Sequence, residues 1–168
     1  ATGGFQPGSV NQVTTFNGSL NSQTITGTTS NLTNFANLVI ANTVSGGMVT
    51  LQSNSAIRVN NDLTLSRGTL GDGGNVITVI GNIINSATHS GTGRIVLAGT
   101  TVQNITGNGT GKFGNLYLNS TKDGKMSESI EITGVLTFQT KMLDIGANLL
   151  RLSNTGAAIS GSSSTSYI

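Results

Sequence analysis

The second half of this chain rewrites the first half, and what it keeps are strand-core and turn positions. Gln23–Thr24–Ile25–Thr26–Gly27 returns as Gln103–Asn104–Ile105–Thr106–Gly107. Phe35–Ala36–Asn37–Leu38–Val39–Ile40 returns as Phe113–Gly114–Asn115–Leu116–Tyr117–Leu118, and Gly46–Gly47–Met48 as Gly124–Lys125–Met126. Ile57–Arg58–Val59 then matches Ile130–Glu131–Ile132, and Leu63–Thr64–Leu65 matches Leu136–Thr137–Phe138. The match closes with Leu70, Gly73 and Asn75 against Leu143, Gly146 and Asn148. The offset drifts from about 80 to about 73 residues through small deletions at turn-like places. A duplicated unit made of short strands points to a stacked array rather than a closed globule. The expected organisation is one segment, residues 1–168, built from two degenerate units at about 11–92 and 93–168.

The strand signals are apolar–X–apolar triplets bounded by Gly, Asn and Ser, with the flanking residues on one side of the strand and the middle one on the other. They centre on Val39, Arg58, Thr64, Thr78, Val96, Tyr117, Glu131, Thr137 and Arg151, which form the expected outward set. A short step leads from Arg58 to Thr64 and a long one from Thr64 to Thr78, and Glu131, Thr137 and Arg151 repeat both steps. Together the two steps cover about 20 residues, the length of one turn of a narrow solenoid. The short connection (Asn60–Asn61–Asp62 or Thr133–Gly134–Val135) makes a corner, and the longer one carries a third face. The fold class expected is all-β: a right-handed β-solenoid, or parallel β-helix, with coils of about 20 residues. Seven or eight coils would give a rod on the order of 35 Å long. The alternative is an antiparallel β-sandwich, which also uses many short strands. A helical reading fails because Gly and Asn interrupt nearly every window.

Composition removes several function classes. Only 8% of the residues are charged, and the eight cations are scattered, so the basic stripe of a nucleic-acid surface is missing. The chain has no Cys, which removes a disulfide frame and thiolate metal sites. No apolar run approaches the length a membrane-crossing helix needs, so none is expected. No leader is visible at residue 1, and both ends read as cuts from something longer.

Chemistry is sparse. The acids are Asp62, Asp72, Asp123, Asp144, Glu128 and Glu131. A sugar hydrolase or lyase needs two or three carboxylates converging on one groove, whereas these read as solvated turn and rim acids. His89, the only histidine, reads as an exposed loop residue. Gly71–Asp72–Gly73–Gly74–Asn75 has the look of a calcium turn, yet calcium of the β-roll kind needs paired turns on successive coils. Its counterpart in the second unit shifts the acid by one position, to Asp144, so no cofactor is expected apart from a weak case for calcium near Asp72. Asp123 reads as a corner or hairpin turn. Thr24 and Thr26 form a pair suited to ice binding, but Asn104 replaces the first in the second unit. Sequons occur at Asn17, Asn31, Asn104, Asn108 and Asn119.

The run Gly91–Thr92–Gly93–Arg94–Ile95–Val96–Leu97–Ala98–Gly99–Thr100–Thr101–Val102–Gln103–Asn104–Ile105–Thr106–Gly107, then Phe113–Gly114–Asn115–Leu116–Tyr117–Leu118–Asn119, carries a resemblance. So do Gly134–Val135–Leu136–Thr137–Phe138 and the ending Ile159–Ser160–Gly161–Ser162–Ser163–Ser164–Thr165–Ser166–Tyr167–Ile168. Together they resemble the repeat region of giant surface proteins of Bacteroidetes, exported by the type IX secretion system, among them gliding-motility adhesins. The likeness covers the second unit well and the first more loosely. It implies an extracellular, cell-surface fibre or stalk that adheres by display along its length, and it supplies no catalytic residues. The sorting domain of such proteins is not among these residues, which fits a segment of a longer chain.

The expectation is therefore a non-enzymatic stalk segment of a secreted adhesin, acting in surface adhesion or gliding. Its expected partners are neighbouring repeat units or identical subunits stacked end to end by strand addition, because nothing in residues 1–9 or 160–168 reads as a cap for an open sheet edge. A second reading is a carbohydrate- or surface-binding module, with Arg94, Lys112 and Tyr117 on one solenoid face. A polysaccharide-active enzyme is the remote third.

Overall fold

A computed structural model describes residues 5–19, 22–27, 32–44, 46–139, 141–153 and 156–168. The described residues contain strands and no helix, wound as seven three-strand turns. The first two turns are β1 (Val13–Phe16), β2 (Ser22–Ile25), β3 (Thr33–Phe35), then β4 (Asn37–Ala41), β5 (Met48–Leu51), β6 (Ile57–Val59). The third and fourth are β7 (Leu63–Arg67), β8 (Thr69–Gly71), β9 (Val76–Val79), then β10 (Ile83–Asn85), β11 (Thr88–Ser90), β12 (Arg94–Leu97). The fifth and sixth are β13 (Gln103–Gly107), β14 (Gly111–Phe113), β15 (Leu116–Leu118), then β16 (Gly124–Met126), β17 (Ile130–Ile132), β18 (Val135–Phe138). The last is β19 (Leu143–Asp144), β20 (Leu150–Leu152), β21 (Ala158–Ser160).

Each strand pairs with the third strand before and after it, so three seven-stranded parallel sheets form the three faces. Every expected triplet is a strand. The short step is the corner between β6 and β7, and the long step contains β8, the third face. The sandwich reading is overturned. Among the described residues every pairing between named strands is parallel, and the one antiparallel contact is the isolated bridge Ser163–Ser166. A chain that returns to the same face only after a full turn can pair only in parallel.

Register repeats the side-chain alternation along the axis. On the first face Leu38, Leu63, Ile83 and Ile105 lie over one another and are buried, while Val39, Thr64, Ile84 and Thr106 form the adjoining outward column. On the third face Ile57, Ile77, Ile95, Leu116 and Leu136 make the inward column. Burying each such aliphatic side chain contributes roughly 1.5–3 kcal/mol, and the buried rings of Phe35, Phe113 and Phe138 add to the same core. Val96 belongs to the outward column but is only 8% exposed, flanked by Thr78 and Tyr117.

The two sequence units occupy the solenoid in an unexpected way. Each matched pair of segments (β2 with β13, β4 with β15, β6 with β17, β7 with β18) is eleven strands apart. Eleven is not a multiple of three, so the copy of a strand lies on a different face from its original.

Side chains close the corners between faces. At the entry to the first face Asp62 Oδ1 accepts the Asn82 N–H at 2.7 Å, and Asn82 Oδ1 accepts the Asn104 N–H at 2.9 Å. The first turn is not bare, contrary to expectation. Phe5 O accepts the Asn34 N–H at 2.8 Å, the Phe5 ring lies 5.2 Å from that of Phe35, and Gln12 O accepts the Asn37 N–H. At the other end Tyr167 O accepts the Leu143 N–H, covering β19. Residue 1 and the sequon residue Asn31 lie outside the described residues.

The alternation can be tested within one strand. Ile83→Ala is expected to destabilise by about 2–5 kcal/mol. Ile84→Ala on the outward side is expected to lose less than about 1 kcal/mol in the same denaturant titration.

Candidate functional site

Arg94 and Tyr117 come together on the third face, on the neighbouring strands β12 and β15. The Arg94 guanidinium carbon stands 5.2 Å from the Tyr117 ring centroid, a cation–π distance, and the Tyr117 hydroxyl donates to Gln139 Oε1. Beside them is an open depression of about 460 Å³, also lined by Val76, Thr92 and Thr137. Lys112 does not share that face, contrary to expectation. It lies on β14 in the second sheet, across the corner at Gly114 and Asn115, and pairs with Glu131 at 3.6 Å. Arg151 follows Glu131 in register, so cation, anion and cation succeed one another up the second face.

The largest departure from the sequence reading is inside. His89 is fully buried on β11, in register with Leu70 of the preceding turn. Asp72 is fully buried too, at the corner after β8. Its Oδ1 accepts the N–H of Gly74 and the N–H of Gly93, both at 2.8 Å. Its Oδ2 lies 3.1 Å from His89 Nε2, and neither atom has another hydrogen-bond partner. The two groups face each other at that distance away from solvent, where their attraction is little screened. His89 Nδ1 accepts the Gly114 N–H at 3.2 Å, which puts the ring proton on Nε2, facing the carboxylate. Asp72, His89 and Gly114 thus tie together three successive turns.

Glycine makes room for this. A Cβ on Gly91, whose φ is +127°, would stand 2.1 Å from Asp72 Oδ1, and one on Gly93 would stand 2.0 Å from Asn75 O. Neither a solvated rim acid nor an exposed loop histidine survives. Calcium gains no support at Asp72, because its oxygens meet N–H donors, whereas a cation needs convergent oxygens. Rhythm was the signal for His89: one turn after Leu70 the count lands on Thr88–His89–Ser90, an apolar position filled by a polar ring.

The other acids stay apart. Asp62 joins the corner ladder, Asp123 Oδ1 accepts the Met142 N–H, and Asp144 Oδ1 accepts the Gly146 N–H. Glu128 is exposed, its carboxylate reaching toward Gly109 at the corner after β13. Among the described residues no three His, Cys, Asp or Glu side chains gather as a metal set. Thr24 points outward beside Thr50, but Gly71 follows Thr50 in register, so the row breaks. No helix of the described residues is long and apolar enough to cross a membrane.

Comparison with protein-family models, with curated proteins and with solved structures finds no match for this chain.

Burial alone would raise the Asp72 carboxyl, but contact with His89 and the N–H groups of Gly74 and Gly93 outweigh it, holding the group below the ordinary 3.8. A carboxylate lowered in the fold stabilises it above its unfolded value, and that stability is lost as pH falls through 3.8 toward the folded value. Wild-type stability should therefore drop with a measurable slope in denaturant titrations from about pH 5 to about pH 2. Asp72→Asn should start roughly 3 kcal/mol lower and show a shallower slope. Equal slopes would remove Asp72 from the acid response.

Proposed function

We propose that this chain is a stalk or fibre segment of a long secreted bacterial surface adhesin, located outside the cell and acting in surface adhesion or gliding. In this reading it catalyses no reaction. Its work is to hold an extended rod and to join the next unit.

The observation that supports it is the state of the last turn. Leu152 and Ile159 stand in register with Ile132 and Leu136, which are fully buried, yet they are 36% and 40% exposed. The inward apolar columns of the second and third faces thus reach the last described turn only partly covered. Further turns, from the same chain or an identical subunit, would continue those columns and pair with β20 and β21. Sedimentation velocity and electron microscopy at rising concentration test the intermolecular form. Rods that lengthen by whole segments are expected, together with their loss in the double variant Leu152→Lys and Ile159→Lys. A dispersed monomer with β20 and β21 protected from hydrogen exchange would defeat the stacking.

The Arg94–Tyr117 depression favours a second reading, a shallow glycan or surface contact on the third face. Arg94 covers one face of the ring, so this side chain, not a bare aromatic platform, would lead recognition. A glycan array should then show binders that Arg94→Ala loses. An array without binders would leave the stalk reading alone.

A further inference from the structure

The chain holds two Asn–Gly pairs, Asn17–Gly18 and Asn108–Gly109, equally exposed but hydrogen-bonded differently. The Gly18 N–H donates to Gln23 Oε1 at 3.0 Å, and a Cβ on Gly18 would stand 2.6 Å from Gln23 Cδ. That nitrogen is tied to the Gln23 amide, although Asn17 itself is exposed. Asn108 is exposed at the corner between β13 and β14. Its Oδ1 accepts two hydrogen bonds, from the Thr110 N–H at 3.1 Å and from the Thr110 hydroxyl at 2.7 Å. Gly109 has φ of +79°, and a Cβ there would meet only the Glu128 carboxylate, 3.8 Å away.

We propose that Asn108 is a self-modifying site, at which the Gly109 nitrogen attacks Asn108 Cγ and the side-chain amide is lost as ammonia. The new bond joins Gly109 N to Cγ, and the N–H proton passes to water or to the nearby Glu128 carboxylate. Negative charge builds on Oδ1 as the carbonyl becomes tetrahedral, where both Thr110 donors already point, as in an oxyanion hole. Collapse breaks the Cγ–Nδ2 bond, and Nδ2 takes a proton and leaves. Water then opens the five-membered imide at either carbonyl, giving aspartate or isoaspartate. No oxidant or reductant is involved.

The consequence falls on the second face. Gly109 and Thr110 line an open depression of about 330 Å³ with Lys112, Glu131 and Arg151. Its single lining acid stands between two cations, and a carboxylate at residue 108, next to lining Gly109, adds negative charge beside that of Glu128. The isoaspartate product also lengthens the backbone immediately before β14. This corner is where charge and register change as the protein ages.

The experiment follows both pairs by peptide mass spectrometry during incubation of the whole chain, folded and in denaturant. In the folded chain Asn108 is expected to convert roughly tenfold faster than Asn17, less than a buried oxyanion hole would give because the corner is wet. In denaturant the two rates should converge. Thr110→Val should slow Asn108 in the folded chain by about threefold to tenfold and matter little in denaturant. Equal folded rates at the two pairs, or an Asn108 slower folded than unfolded, would overturn the proposal. If Thr110→Val loses its β circular-dichroism signal, the exposed variant Glu128→Gln takes its place. A slower Asn108 supports the proposal, and an unchanged rate removes the carboxylate from it.

Discussion

Parallel, in-register pairing between successive turns is the interaction on which everything else rests. It directs the backbone hydrogen bonds of the strands along the rod axis and sets each inward side chain over its equivalent one turn earlier. Within the strands this pairing serves most N–H and C=O groups, with side chains helping near strand starts, as Asn82 Oδ1 does for the Asn104 N–H and Asn115 Oδ1 for the Val135 N–H. Corner residues cannot rely on it, because the chain must swing to the next face within a few residues. Side chains therefore complete the backbone at the corners: Asp62, Asn82 and Asn104 in one ladder, Ser55 and Asn75 in another. An Asn or Gln suits the task because one amide both donates and accepts.

The internal duplication makes sense in these terms. Gln23 and Gln103 both reach back to accept a corner glycine N–H, from Gly18 at 3.0 Å and from Gly99 at 2.6 Å. Asn75 and Asn148 each donate from Nδ2 to a nearby carbonyl of their own corner, Asp72 O and Ile145 O, and to one in the preceding turn, Gln52 O and Met126 O. What the two halves share is a set of corner devices attached to strand triplets. Such devices act locally and do not depend on which face they serve. This is why copies eleven strands apart can sit on different faces and still perform the same task.

Much of the fold was legible for the same reason. Apolar triplets such as Ile57–Arg58–Val59 state which side is core, and the step to Thr64 gives the corner without any knowledge of the neighbouring turn. The pair at Asp72 and His89 was not legible, because its meaning is not local. Asp72 resembles any Asp–Gly–Gly turn until Gly93 arrives one turn later, and His89 resembles a loop residue until its place over Leu70 is known. Lys112 was misplaced for a related reason. It lies close to Tyr117 in the sequence, but a corner intervenes and turns the two side chains onto different faces. Arg94 and Tyr117 are far apart in the sequence, and their contact depends on the turn length that the triplets supplied.

The buried carboxylate also has a geometric reason to be where it is. On the third face the step from Ile77 to Ile95 is shorter than the step before it, Ile57 to Ile77, and the step after it, Ile95 to Leu116. The turn is shorter than the one before it because β10 is shorter than β7, and at its last corner Gly91 and Gly93 pass close to the corner below. The Asp72 carboxylate fills the space that two Cβ atoms would need, and it accepts N–H groups from both turns. A neutral amide would present its donor either to both of those N–H groups or to His89 Nε2. An ionised acid offers acceptors alone, and the imidazole supplies the remaining donor while accepting from Gly114 one turn higher. Charge in the middle of an aliphatic rod is thus held where two glycines bring successive corners together, and its partners are fixed by the pairing of the turns on either side.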